Sequence, residues 1–158
     1  MKIKFIKFAV ILGLASFAFS APSFSQTNEE MKAMQDLAAA EIRLVFIQGL
    51  KLTEEEGDNF WPIYDAYREE LMAVGEENLQ LIKDFAAAYQ SMTDDVAYDL
   101  TNRYFSSEEK RLALRVEYRE KMAKVISPTK VAIFVQIENK LTAIARYQLA
   151  AQIPLIQE

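Results

Sequence analysis

Apolar residues recur at spacings of three and four over most of the chain, which is the period of amphipathic α-helices. The longest row alternates steps of four and three, with Asn78 at one of its positions. Such a heptad row is typical of helices packed lengthwise, and it predicts both a long helix and a contact with a second copy of the chain. Its members are Phe60, Tyr64, Tyr67, Leu71, Val74, Leu81, Phe85, Ala88 and Met92.

Helix-start signals divide the chain into four helices, or five if one of them is broken. A first helix is expected from about Asn28 to Gln48, with Gly49 as its C-terminal cap. Thr53 and Glu56 form a capping box for the second helix. Thr93 precedes the third, and Ser127-Pro128 opens the last, which Pro154 ends.

Two positions leave the helix boundaries open. Pro62 either kinks the second helix near Asp58 or lies in the first turn of a helix that Asn59 recaps. Ser106 and Glu109 form a further capping box, which would divide the third helix into two pieces at about residues 105–107. The short joints indicate an all-α fold of four or five antiparallel helices, and residues 26–158 are expected to form a single domain.

The N-terminus has the layout of a secretory signal peptide. Lys2, Lys4 and Lys7 precede an uncharged apolar run over residues 8–19, and small residues follow it. This run is shorter than the roughly 20 residues of a membrane-spanning helix, which disfavours an uncleaved anchor. Residues 1–25 are therefore expected to be a signal peptide that is cleaved between residues 20 and 26, and the remaining chain is expected to be periplasmic.

The amino-acid composition disfavours several classes of function. Without the three lysines of the n-region, 15 basic residues remain against 23 acidic ones, a net charge near −8. This charge disfavours binding to nucleic acid or to an anionic membrane surface. The chain has no cysteine and no histidine, so the usual nucleophile–base pairs and zinc ligands are missing. We expect no enzyme activity, no cofactor and no metal, and we attribute the acidic run at residues 54–58 to the start of a helix.

Two short motifs resemble the Leu-Thr-x-x-Gln motif of the Spy/CpxP family of periplasmic proteins. Leu52-Thr53-Glu54-Glu55-Glu56 opens the second helix, and Val125-Ile126-Ser127-Pro128-Thr129-Lys130 opens the last. The similarity extends over roughly residues 52–147. Glu56 stands where the first motif has glutamine, and Ser-Pro-Thr-Lys replaces Thr-Pro-Glu-Gln in the second. The resemblance implies an elongated, all-helical homodimer that holds unfolding clients on a concave face, or a relative that damps envelope-stress sensing.

Two groups of residues are candidates for binding a client or a partner. The first is Phe60, Trp61 and Tyr64, whose rings would hold apolar segments. The alternative is that Phe60 and Tyr64 belong to the core, whereas Trp61 lies off the heptad row and is free for a surface or dimer role. The second group is Arg111, Arg115 and Arg119, a basic ridge at four-residue spacing, whose alternative is a solvated helix face.

The sequence thus predicts an ATP-independent chaperone-like or envelope-stress accessory protein that binds unfolded or specific envelope proteins. A dedicated structural or regulatory module for one envelope partner, without general chaperone activity, is the alternative.

Overall fold

The computed structural model describes residues 28–156, and within them the chain is helical, with no strand. The predicted signal peptide and its cleavage site lie outside these residues. The all-α class is confirmed, with four helices joined by short connections. They are α1 (Asn28–Leu50), α2 (Glu54–Ala88), α3 (Asp94–Met122) and α4 (Pro128–Ala150), and a 3-10 turn (Tyr89–Ser91) follows α2.

The helices form an up-and-down bundle in which sequence neighbours are antiparallel. Between α2 and α3, Glu77 pairs with Lys110 at 2.7 Å and Asp84 pairs with Arg103 at 2.6 Å, so residue numbers rise on one helix as they fall on the other. The same reversal relates α3 to α4, and α1 packs beside α4. One end of the bundle, the closed end, holds the α1–α2 and α3–α4 joints, and the other, the open end, holds the α2–α3 joint.

The predicted helix starts are confirmed. Thr53 Oγ1 accepts from the Glu56 amide at 3.2 Å, and Glu56 Oε2 accepts from the Thr53 amide at 2.8 Å, a complete capping box. Thr93 and Ser127 cap α3 and α4 in the same way through their hydroxyl oxygens.

The predicted C-terminal cap at Gly49 is wrong. α1 continues to Leu50, and Lys51 takes the left-handed conformation that ends it, with φ of 47°. Gly49 instead lets α1 approach α4, because a Cβ at this position would lie 2.6 Å from Ile137 Cδ1.

The two helices whose continuity the sequence leaves undecided, α2 and α3, are both continuous. α2 runs through Pro62, so Asn59 does not recap it. Its amide side chain instead donates to the Glu55 carbonyl at 2.9 Å. α3 is likewise unbroken at residues 105–107, and Ser107 is buried within it.

The core lies toward the closed end and is largely aromatic. The Phe134 ring lies 5.2 Å from that of Phe46, 6.1 Å from Phe60 and 5.9 Å from Tyr67. Residues from all four helices and the α3–α4 joint complete it: Leu50, Tyr64, Tyr118, Met122, Ile126 and Val131. The first half of the heptad row on α2 is therefore filled by this chain's own helices, whereas its second half, from Leu81 to Met92, is only half-buried.

Candidate binding groove

An open, mainly apolar groove of about 970 Å³ occupies the half of the bundle near the open end. α2, α3 and α4 supply most of its walls, and α1 contributes Ile42. The remaining lining residues lie outside the four helices: Met92, Ile153 and Ile156. Its apolar surface includes Leu71, Leu81, Phe85, Met92, Leu141 and Leu149. A groove of this size and character is typical of a binding site, because a cleft lined by apolar side chains gains free energy when it is covered.

The groove is open because α1 covers little of it, with Ile42 as its one lining residue among those the structure describes. α1 packs on the core through Phe46 and Leu50, which are each 1% exposed. Toward its N-terminus the described side chains of α1 emerge into solvent, and Leu37 is 59% exposed. Gly75 deepens the groove from the α2 side, since a Cβ there would meet nothing within 4 Å.

Arginine and glutamate side chains also line the groove, between its apolar residues. Glu108 pairs with Arg146 across the α3–α4 interface, and the Arg111 Nε lies 3.7 Å from the same carboxylate. Arg68 also lines the groove and forms no ion pair with the described residues. With Glu138, these lining side chains comprise three cations and two anions, although the whole chain is acidic.

A buried polar cluster separates the groove from the core. The Tyr67 hydroxyl donates to Glu138 Oε2 at 2.8 Å, and Arg115 Nε lies 3.7 Å from that carboxylate oxygen. Burial, followed by the nearby Glu138 charge, raises the pKa of Tyr67 far above its usual range, so the phenol remains a hydrogen-bond donor. The pKa of Tyr118 is also raised, chiefly because its hydroxyl donates to Glu70 at 2.5 Å.

The structure places the first candidate group away from this groove. Phe60 is fully buried and Tyr64 is 3% exposed, so the core alternative describes both and neither ring is accessible to a client. Trp61 is half-buried beside them. The Arg43 guanidinium lies 4.1 Å from the centroid of its ring and pairs with Asp65 at 2.5 Å.

The three arginines of the predicted basic ridge have different surroundings. Arg111 and Arg115 lean toward α4, where Arg115 also donates to the side-chain oxygen of Asn139. Arg119 is about half-exposed and pairs with its neighbour Glu120. Replacing all three arginines should therefore destabilise the fold, because Arg115 helps to neutralise the buried Glu138.

A second exposed feature runs along α3 and shares Phe105 with the groove. Four large apolar residues follow one another at steps of seven, seven and four along this helix, and we call them the α3 row. Its members, with their exposed fractions, are Tyr98 (72%), Phe105 (59%), Leu112 (59%) and Val116 (49%). The spacing of four between Leu112 and Val116 is typical of a buried helix face, yet both side chains are exposed.

The one sequence signal for the groove is the length of the heptad row, which runs beyond the part that α1 and α4 cover. Periodicity alone does not say which half of the row is left open, so the sequence does not locate the groove.

No protein-family model, curated protein or solved structure matches this chain. None of the helices within residues 28–156 is long and apolar enough to cross a membrane.

Proposed function

We propose that this protein is a chaperone-like or envelope-stress accessory protein of the periplasm, which holds apolar segments of other polypeptides in the groove and acts by binding without ATP. The observation that carries the proposal is the open groove of about 970 Å³, with its apolar lining. An uncovered apolar surface of this kind is unusual on a monomeric protein unless it binds something.

The lining of the groove is suited to binding apolar segments of many different sequences. Its walls offer leucine, methionine and phenylalanine side chains, which adapt to different partners by changing rotamer. A groove between helices also suits recognition of an amphipathic helix, in which an apolar helix face lies between helices of the receptor. Such contacts need little specific hydrogen bonding, so they support weak binding of several unrelated segments.

The closed end adds support for the resemblance to the Spy/CpxP family. The last residues of the two short motifs, Glu56 and Lys130, both differ from the family's glutamine, and they form an ion pair with each other. Lys130 Nζ also donates to the Lys51 carbonyl at 3.1 Å. The two motifs therefore meet at one end of the bundle, and their two substitutions compensate each other in charge.

A dedicated partner module is the second candidate, and the α3 row favours it. Residues at steps of seven along one helix face are what a single partner helix would contact through knobs-into-holes packing. A surface of this kind would recognise one protein, with a few residues carrying most of the binding free energy.

An aggregation assay separates the two candidates. Purified protein should suppress, without ATP, the aggregation of several unrelated proteins as they unfold. Replacing Tyr98 and Leu112 of the α3 row by serine should leave this protection unchanged, because neither residue lines the groove. If no unrelated client is protected, and an envelope extract yields one partner that the double variant fails to bind, the second candidate is correct and the groove proposal fails.

A further inference from the structure

The polarity of the groove changes along its length. Toward the open end, the described lining residues fall within residues 79–105 and 149–156, and none of them carries a charge. The charged lining residues lie closer to the core, and Arg68 is the first residue of α2 to line the groove. A groove with one apolar end and one charged end matches an amphiphile, because its chain and its head group need these two environments.

The charged end has more cations than its carboxylates can neutralise. Glu108 serves two arginines, since one of its oxygens pairs with Arg146 and the other lies 3.7 Å from Arg111 Nε. This Nε is buried and has no hydrogen-bond partner among the described residues. The guanidinium of Arg111 is therefore only partly satisfied by the protein.

Arg68 is the cation with the weakest compensation. Its side chain is half-buried, and it forms no ion pair with the described residues. The nearest candidate on α4, Glu138, already accepts a hydrogen bond from Tyr67 and lies beside Arg115. A partly buried guanidinium without a partner is costly, and a carboxylate would match its planar donors in a bidentate geometry.

We propose that the groove binds a long-chain fatty acid, whose carboxylate pairs with Arg68 while its acyl chain runs along α2 toward the open end. This goes beyond the proposed function, because a fatty acid would occupy the surface that a polypeptide needs. Its supply would then regulate how much of the protein is free to hold clients.

The dimensions of the groove suit one acyl chain. Its α2 wall from Leu71 to Phe85 is about 21 Å long at a rise of 1.5 Å per residue. A single lipid chain spans about 15 Å, half of the roughly 30 Å hydrocarbon core of a bilayer. The chain therefore fits along this wall, and the volume of about 970 Å³ is typical of sites for small molecules.

Three amphiphiles with the same chain test the head group. Dodecanoate is an anion, dodecyl maltoside is neutral and dodecyltrimethylammonium is a cation. Calorimetric titration of the purified protein, below the micelle-forming concentration of each, should show dodecanoate binding about tenfold more tightly than the maltoside. The cation should bind most weakly. A groove built for polypeptide alone would bind all three equally or none of them, and either result overturns the proposal.

Arg68→Gln tests the position of the carboxylate. The variant should bind dodecanoate and the maltoside with similar affinity, and its affinity for the maltoside should match that of the unmodified protein. Loss of the fold would instead abolish binding of both, so the ratio separates the two effects. Arg103→Gln is the matched control, because Arg103 pairs with Asp84 and does not line the groove.

A full preference for dodecanoate in Arg68→Gln, or a lost preference in Arg103→Gln, overturns the proposal. These titrations contain no polypeptide. A negative result therefore removes the fatty acid and leaves the proposed function standing, whereas failure of client binding leaves the fatty-acid site standing.

Discussion

Gly49 and Gly75 lie in the interiors of long helices, yet their surroundings are opposite. A Cβ at Gly49 would lie 2.6 Å from Ile137 Cδ1, whereas a Cβ at Gly75 would enter the open groove. Glycine in a helix costs about 0.5–1 kcal/mol relative to alanine, so it should persist where space demands it or where an opening is useful. At Gly49 the demand is close packing of two helices, and at Gly75 it is the depth of the groove.

Gly75→Ala should raise the free energy of unfolding by about 0.5–1 kcal/mol, since the new methyl group meets no atom and the unfolded chain loses freedom. Gly49→Ala should gain less or become destabilising, because Ile137 must move. Urea denaturation of the two variants gives the comparison. Equal gains at both positions would contradict the packing of α1 on α4 described above.

Because Tyr64 is buried in the core, we expect the free energy of unfolding to fall at alkaline pH. Burial raises the pKa of Tyr64 to about 12, above its ordinary value of 10.0. The unfolded chain therefore releases this proton near pH 10 while the folded chain retains it. The free energy of unfolding should fall between pH 10 and 12, with Tyr64 contributing at most about 1.4 kcal/mol per pH unit. Tyr64→Phe should show a shallower fall, and an unchanged slope would mean that Tyr64 is not buried.

At the scale of the helices, local sequence is enough to predict where a helix begins. It is not enough to predict which helix faces pack against each other. The sequence predicts the caps at Thr53 and Ser127 because a cap depends on residues three positions away. It does not predict the role of Gly49, because that role depends on Ile137, which is distant in sequence. Similarly, Phe60 and Leu81 belong to the same heptad row, but only the three-dimensional reach of α1 and α4 determines that one is buried and the other faces the groove.

The ion pair between Glu56 and Lys130 connects the start of α2 to the first turn of α4 and can be tested as a pair. The hydrogen bond from Lys130, with that from Thr53, lowers the pKa of Glu56. Each single variant, Glu56→Gln or Lys130→Gln, should lower the urea midpoint, because one charge loses its partner. The double variant, which restores glutamine at both motif positions, should lose less than the sum of the two. Strict additivity would show that the two side chains do not interact.

At the scale of the whole molecule, the bundle is closed at one end and open at the other, and this asymmetry accounts for the proposed function. The aromatic core around Phe134 holds the four helices together, so the groove can remain uncovered without unfolding the chain. The helical class that the sequence predicts is confirmed, whereas protein binding and the lack of enzyme activity stay predictions. The sequence does not locate the binding surface, because Phe60 and Tyr64 satisfy the same spacing in the core that an exposed surface would show.

The central claim is that the groove itself holds apolar polypeptide, and two leucine substitutions on α2 test it directly. Gly75→Leu places a side chain inside the groove, whereas Ala73→Leu adds the same side chain to an exposed position outside it. The measurement is the dissociation constant for a fluorescently labelled, permanently unfolded polypeptide, obtained by anisotropy titration of the unmodified protein and both variants. The account predicts binding that Gly75→Leu weakens by about tenfold or more and that Ala73→Leu leaves unchanged. Equal affinity in all three proteins, or no binding by the unmodified protein, would contradict it.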